Sequence, residues 1–165
     1  MKIKEIKAKN LNTEKFIGEK VREIRETVGG GLAINALSGG VDSSVVTALG
    51  HKALGNNLKT YFIDNGIMRQ GEPAKVAAQF KKLGIHVEVL DASREFFAAL
   101  KGVTDPEEKR EAITQTFYKK IFRKLIIKSR AKYLLQGTIL TDVDETVAGI
   151  KRQHNVFEQL GIDPQ

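Results

Sequence analysis

The apolar residues of the chain are arranged either at helical spacing or in short continuous runs. The first helical pattern predicts a helix from about 12 to 28, with Asn12 as its N-cap and Gly29 after its last turn. Leu11 and Phe16 occupy the two positions of a hydrophobic staple around this start. The apolar stripe of the helix consists of Ile17, Val21, Ile24 and Val28. We therefore expect an amphipathic helix that packs against the rest of the domain.

Four short apolar runs predict β-strands, at 32–37, 58–63, 85–90 and 133–136. Runs without polar alternation are typical of strands that are covered on both faces, as in a parallel sheet.

Three helical patterns separate these strands. The first ends near Gly55, and its apolar positions are Val45, Val46, Leu49 and Ala53. The second begins at Glu72 with Pro73 in its first turn and stops at Gly84, and its predicted buried face is Val76, Phe80 and Leu83. The third has Asp105 as its cap, and its apolar positions are Ile113, Phe117, Ile121 and Leu125. The sequence thus predicts a helix in each interval between strands.

Alternating strands and helices imply right-handed βαβ units, and hence an α/β fold. We expect a doubly wound, mostly parallel, Rossmann-like sheet with helices on both faces. In such sheets ligands bind beyond the carboxyl ends of the strands, where the strand order reverses. The residues with unusual chemistry in this chain all follow predicted strands, so a ligand site is expected at that edge.

The segment from Ser38 to Ser44 joins the first strand to the helix that follows. It reads Ser38, Gly39, Gly40, Val41, Asp42, Ser43 and Ser44. Its glycines let an anion approach the backbone, its serines supply hydroxyl groups, and the first helical turn supplies free N–H groups. A carboxylate at Asp42 would repel a bare phosphate, but it suits a Mg²⁺ ion that lies between carboxylate and phosphate oxygens. The segment therefore predicts a phosphate-binding loop with a divalent cation.

Composition narrows the function classes. The 165 residues contain no cysteine, which excludes disulfides, thiolate metal sites and a cysteine nucleophile. The net charge is +7, with a run of cations and no acid between 119 and 132, which is typical of a solvated helix face. No stretch of the sequence is apolar enough for a membrane helix, so the expected location is the cytoplasm.

The loop resembles the S-G-G-x-D-S motif of the N-type ATP pyrophosphatases, whose fold is the adenine nucleotide alpha hydrolase type. Among these enzymes the chain is most similar to the synthetase domain of GMP synthases. The segments that carry this similarity lie at 38–44, 62–66, 101–110, 136–138, 150–151 and 154–156, together with Arg69, Asp142 and Glu145. The similarity covers about three quarters of the chain, and 101–110 is its most specific part.

The resemblance implies an AMP-forming carbon–nitrogen ligase that uses ATP and Mg²⁺. In the family reaction, ATP adenylates XMP with release of pyrophosphate, and ammonia then displaces AMP to give GMP. The residues implied to bind ATP are the loop 38–44 and Phe62, Ile63, Asp64, Gly66, Gly137 and Thr138. The implied catalytic residues are Asp42, Lys109, Arg110 and Lys151, and the implied metal ligands are Asp42 and Glu145.

The resemblance also sets expectations for domains and partners. We expect one ATP-pyrophosphatase domain over 1–165, with 1–31 as an N-terminal helical extension. We expect the chain to contain neither the dimerisation domain nor the glutaminase domain of GMP synthases. Ammonia would then come free or from a separate glutaminase subunit, with a homodimer implied for the full-length protein. The small molecules expected to bind are ATP and a nucleotide acceptor such as XMP, and neither a membrane nor nucleic acid is an expected partner.

The acceptor side departs from the family pattern. The chain reads Lys151-Arg152-Gln153-His154 where GMP synthases have paired histidines, and Thr141 and Asp144 replace a usual proline and aliphatic residue. Two alternatives therefore stay open: a tRNA-modifying ligase that holds RNA on the basic run, and a regulator that binds ATP without cleaving it.

Overall fold

The computed structural model describes residues 11–137, and the structural statements below concern that part of the chain. Four parallel strands form one sheet: β1 (Ala33–Ala36), β2 (Leu58–Asp64), β3 (Val87–Asp91) and β4 (Tyr133–Leu134). Their order is β3-β2-β1-β4. Strand order therefore reverses beside β1, because β2 and β3 extend the sheet on one side and β4 on the other. The predicted doubly wound parallel sheet is confirmed.

Six α-helices occur between residues 11 and 137. They are α1 (Thr13–Val28), α2 (Val41–Leu54), α3 (Glu72–Lys82), α4 (Ser93–Leu100), α5 (Pro106–Gln115) and α6 (Arg123–Ser129). A π-helical segment, Thr116–Phe122, joins α5 to α6, and a short 3-10 turn, Gly55–Asn57, follows α2. None of these helices combines the length and the apolar character that crossing a bilayer requires.

Side-chain caps fix two helix starts where the sequence predicts them. The Asn12 side chain accepts a hydrogen bond from the Lys15 N–H at 3.0 Å. The Asp105 carboxylate accepts from the N–H groups of Glu107 and Glu108 at 2.9 and 3.0 Å. Each cap satisfies N–H groups that have no partner within the helix, so these two helices begin at positions set by local chemistry.

The core lies on both faces of the sheet, because alternate strand residues point to opposite sides. On one face, Ile34, Tyr61 and Ile63 pack against α4, the π-helical segment and α6. On the other face, residues of β1 and β2 pack against α1, α2 and α3 in two apolar clusters. The two faces thus bury most of β1 and β2, as their continuous apolar runs predict, whereas Glu88, Val89 and Asp91 of the edge strand β3 are exposed.

The buried face of α2 differs from the prediction. Val45 is 47% exposed and Leu49 is half-buried, whereas Thr47 and Gly50 are buried. A Cβ at Gly50 would lie 2.6 Å from Leu135 Cδ2. The helix therefore lies too close to the sheet for a large side chain, and small residues form its contact face.

Two other predicted apolar positions are also exposed. Leu83 is 67% exposed, because α3 ends there and the chain reverses through Gly84 at a φ of 75°. The Ile85 N–H donates to the Phe80 carbonyl at 3.0 Å, and Ile85 takes the buried position instead. Ile17 is 38% exposed, so the buried stripe of α1 is carried by residues nearer its end.

The sequence pattern missed α4 and the π-helical segment. The expected positions Ile121 and Leu125 are buried, but Phe122 and Ile126 are buried with them. A π-helical turn holds one more residue than an α-helical turn. The buried face consequently widens by one position beyond the expected spacing.

Candidate active site

Hydrogen bonds within the loop 38–44 close it on itself. The Ser43 hydroxyl donates to the Gly40 carbonyl at 3.1 Å and lies 2.9 Å from the Ser38 hydroxyl. It also accepts from the Ser38 N–H at 3.2 Å, while the Ser44 hydroxyl donates to the same Gly40 carbonyl at 2.7 Å. Ser43 is therefore the side chain that ties the two ends of the loop together.

The start of α2 presents backbone N–H groups without a side-chain cap. Its N-cap is Gly40, which has no side chain to accept a hydrogen bond from the first turn, and Val41 and Asp42 follow it with exposed side chains. The first N–H groups of a helix have no partner within the helix, and the helix dipole adds positive potential there. This end of α2 has the properties of an anion site.

Gly39 is the loop position that requires glycine. Its φ is 82°, in the left-handed region, and a Cβ there would lie 3.2 Å from Val76 Cγ2 and 3.7 Å from Phe62 Cε2. Backbone conformation and packing thus both disfavour a side chain, and the loop can turn tightly over the end of β1.

Gly137 brings the end of β4 against the loop. A Cβ at Gly137 would lie 3.2 Å from the Asp42 carbonyl oxygen and 3.2 Å from Val46 Cγ2. The segments that follow β1 and β4 therefore touch at the point where strand order reverses. That is where ligands bind in open α/β sheets.

The turn after β2 is held by its own side chains. The Asp64 carboxylate accepts from the Gly66 N–H at 2.9 Å, and the Asn65 side chain accepts from the Ile67 N–H at 3.0 Å. Gly66 has a φ of 76°, and a Cβ there would lie 2.7 Å from Ser93 Cβ. The Asp64 carboxylate thus shapes this turn in the protein without ligand.

A cavity of about 260 Å³ lies between the ends of β1 and β2 and the helices α5 and Thr116–Phe122. The predicted residues Ser38 and Ile63 line it together with Asn65, Phe117 and Tyr118. The rings of Phe117 and Tyr118 meet edge to face with centroids 4.9 Å apart. Burial raises the pKa of the Tyr118 hydroxyl, so it stays neutral at physiological pH. An apolar, aromatic-lined cavity beside an anion site suits a nucleotide base.

The sequence pattern did not indicate the aromatic part of this cavity. Periodicity assigned Phe117 to the core and gave Tyr118 no role. The available signal was the adjacent aromatic pair itself, because neighbours on a helix lie about 100° apart and a stripe at α-helical spacing includes only one of them.

Phe62 differs from its expected role. Its side chain is fully buried in an apolar cluster with Val76 and Phe80, and it lies beneath Gly39. The side chain therefore supports the loop from below, and only the backbone of Phe62 remains available to a nucleotide.

Lys109 and Arg110 lie on the exposed surface of α5. The Arg110 guanidinium is 3.4 Å from the Glu107 carboxylate, and both side chains are more than 70% exposed. Such a pair contributes little to stability, so Arg110 can exchange it for another anion at low cost. Neither cation lines the aromatic cavity.

The described part of the chain supplies one of the two expected metal ligands. Asp42 is exposed in the first turn of α2, beside the anion site. Residues 11–137 contain no group of three or more acidic or histidine side chains that could hold a metal by themselves. One carboxylate is nonetheless compatible with Mg²⁺, which takes its other ligands from phosphate and water. Thr138, Glu145 and Lys151 lie outside the described residues.

A family model described as NAD synthase matches residues 11–156 of the chain. The chain belongs to the NAD synthase family. The B subunit of the glutamine-hydrolyzing GMP synthase from Archaeoglobus fulgidus is 52% identical to it over 146 residues, which cover 88% of this chain and 47% of the relative. Glutamine-hydrolyzing GMP synthase from Aquifex aeolicus is 46% identical over 153 residues, with 90% and 30% covered. The resemblance to the synthetase domain of GMP synthases is thereby confirmed.

Solved structures of the NAD synthase family share the fold. A glutamine-dependent NAD+ synthetase from Acinetobacter baumannii in complex with ADP superimposes with a TM-score of 0.63 at 16% identity, covering 96% of this chain and 34% of that one. At this identity the similarity concerns the fold alone. The chain spans about half the length of the GMP synthase B subunits it matches.

Proposed function

We propose that this chain carries the ATP-binding site of a ligase of the GMP synthase type. The observation that carries the proposal is the uncapped start of α2, which lies beside an aromatic-lined cavity at the reversal of strand order. About half of the aligned residues are identical to those of GMP synthase B subunits. This similarity supports XMP, rather than the acceptor of an NAD synthetase, as the molecule that is adenylated.

The loop 38–44 would hold the β- and γ-phosphates of ATP. Its glycines allow close approach, and the N–H groups at the start of α2 donate to phosphate oxygens. The base would enter the cavity lined by Ile63, Phe117 and Tyr118, where an aromatic ring can stack on it. Ser38 belongs to both the loop and the cavity, so it would lie where the base and phosphate ends of the nucleotide meet.

Asp42 would hold Mg²⁺ against the phosphates, with Glu145 as the predicted second ligand. The ion would neutralise charge on the departing pyrophosphate. An acid in the first turn of a helix also interacts favourably with the helix dipole, so Asp42 does not weaken α2 itself.

The reaction requires positioning rather than a protein nucleophile. An oxygen of XMP attacks the α-phosphorus of ATP, the bond to the β-phosphate oxygen breaks, and pyrophosphate leaves with the electron pair. Loop N–H groups, with Lys109, Arg110 and Lys151 as the predicted cations, stabilise the charge that develops. Ammonia then attacks the activated carbon of the base, expels AMP with the electron pair of the carbon–oxygen bond and loses a proton, giving GMP.

The remaining parts of the proposal concern the whole protein. A separate glutaminase subunit would supply ammonia, and the full-length protein would form a homodimer. The basic run 119–132 is exposed at each of its cations, as a solvated helix face is, and the comparisons do not favour an RNA-modifying ligase over the main proposal.

The Asp42→Asn variant tests the metal part of this site. We expect it to weaken binding of Mg·ATP more than binding of metal-free pyrophosphate, because removal of the carboxylate costs a cation ligand but lowers repulsion of a bare anion. Isothermal titration calorimetry with both ligands measures the difference. Glu14→Gln is the matched control, since Glu14 is an acid in the first turn of α1. Equal losses for both ligands in Asp42→Asn would contradict the role of Asp42 as a metal ligand.

A further inference from the structure

Three buried polar side chains link the centre of the sheet to the phosphate-binding loop. They are Asn35 in β1, Thr60 in β2 and Thr47 in α2, with exposures of 1%, 4% and 0%. The Thr60 hydroxyl donates to Asn35 Oδ1 at 2.8 Å, and Asn35 Nδ2 donates to Thr47 Oγ1 at 2.6 Å. The Thr47 hydroxyl donates in turn to the Ser43 carbonyl oxygen at 2.7 Å. We call these three side chains the buried polar chain.

The donors of the buried polar chain all point one way. Asn35 and Thr60 are paired in the register of β1 and β2, so their side chains are neighbours on one face of the sheet. Because Asn35 offers Thr47 an N–H, the Thr47 hydroxyl keeps its own hydrogen for Ser43. The contact with Asn35 in the sheet thereby directs the Thr47 hydroxyl to the Ser43 carbonyl oxygen in the first turn of α2.

Packing alone does not explain these residues. The surrounding face of the sheet is apolar, with Ala33 and Leu58 on one side and Leu37 and Phe62 on the other. Polar groups in such a place cost free energy unless they are hydrogen-bonded, and apolar residues of similar volume would avoid that cost. A threonine that bonds back to its own helix slightly destabilises and bends the helix. We therefore infer that the hydrogen bonds of the buried polar chain serve a purpose other than packing the core.

The far end of the buried polar chain is Ser43, the residue that closes the loop. Its carbonyl receives the Thr47 hydroxyl, and its own hydroxyl bonds Ser38 and Gly40. A shift of Ser43 would move both ends of the loop and the N–H groups between them. Fixing Ser43 relative to the sheet thus fixes the geometry of the anion site.

We propose that Asn35 and Thr47 are positioning residues for the phosphate-binding loop. They set the place of Ser43 through buried hydrogen bonds and do not touch the nucleotide. The proposal rests on the proposed function, since it concerns how the same site binds ATP.

Thr47→Val and Thr60→Val in the 165-residue chain separate positioning from stability. Each variant keeps side-chain volume and leaves one Asn35 amide atom without its partner, so both are expected to unfold a few degrees below the wild type. Only Thr47→Val breaks the bond to Ser43. Coupling through residues that do not touch the ligand is typically worth a 2- to 30-fold change in affinity. We expect a loss of about that size for Mg·ATP in Thr47→Val, and a loss within about 2-fold in Thr60→Val.

Calorimetry with Mg·ATP, at a temperature where all variants are folded, measures the difference. Thr47→Ser restores the hydroxyl and is expected to recover wild-type affinity, a result that a packing role for the Thr47 methyl group would not produce. If Thr47→Val does not fold, Thr47→Ala replaces it with the same expectation. Equal affinities in the Thr47 and Thr60 variants would overturn the positioning role, whereas a wild-type chain that does not bind Mg·ATP would overturn the proposed function itself.

Discussion

A side chain at Gly39 should disable the loop, and the structure gives the size of the effect. Gly39→Ala forces a non-glycine residue to a φ of 82°, which costs about 1–2 kcal/mol. Its Cβ would also lie 3.2 Å from Val76 Cγ2, a tight contact with a buried side chain that adds about 1 kcal/mol. The total penalty is therefore about 2–3 kcal/mol.

This penalty must appear in one of two measurements. If the loop keeps its conformation, the melting temperature falls by about 4–12 °C for a chain of this size. If the loop moves to relieve the strain, affinity for Mg·ATP falls by about 30- to 150-fold instead. Differential scanning calorimetry and titration with Mg·ATP on the same preparation distinguish these outcomes.

Gly40→Ala is the matched control for stability, because the neighbouring glycine has a φ of −72° and its Cβ would meet only the Ser38 hydroxyl oxygen at 3.4 Å. Its expected cost is the loss of a favourable N-cap residue, under about 1 kcal/mol. Val76→Ala removes the steric partner, so Gly39→Ala should cost about 1 kcal/mol less in that background. A Gly39→Ala protein with wild-type stability and affinity, or an equal loss of stability in Gly40→Ala, would refute this reasoning.

Two further predictions concern the whole chain and its pH response. The 165-residue chain should bind Mg·ATP yet form little GMP from XMP and ammonium. It spans about half the length of its relatives, and small misplacements of an acceptor can cost about 100-fold in rate. Robust GMP formation would show that the 165 residues suffice. Hydrogen bonds from Ser93 lower the pKa of Asp91. The ionised carboxylate therefore stabilises the fold at pH values above its ordinary pKa of 3.8, and this stabilisation is lost as pH falls through the lowered pKa. Asp91→Ala should therefore melt below the wild type at pH 7, with a gap that narrows below about pH 3.8 in melting curves; a gap independent of pH would contradict the assignment.

Local chemistry in the sequence determined where several elements begin and end. Asn12 and Asp105 cap their helices, and Gly84 ends α3, because each acts through backbone groups within three or four residues. The continuous apolar runs predicted a parallel sheet covered on both faces, and the loop 38–44 predicted the anion site at the end of β1. These features depend on neighbours along the chain, so the sequence alone contains them.

Only the tertiary structure decided which side chains those elements bury. The close approach of α2 to the sheet buries Thr47 and exposes Val45, although hydrophobicity favours the reverse. Phe62 supports the loop from the core. Phe117 and Tyr118 line the cavity, because the π-helical segment that contains them rotates the helix face. Burial depends on what lies across the gap between elements, and that distance is a property of the packed fold which no single segment of sequence contains.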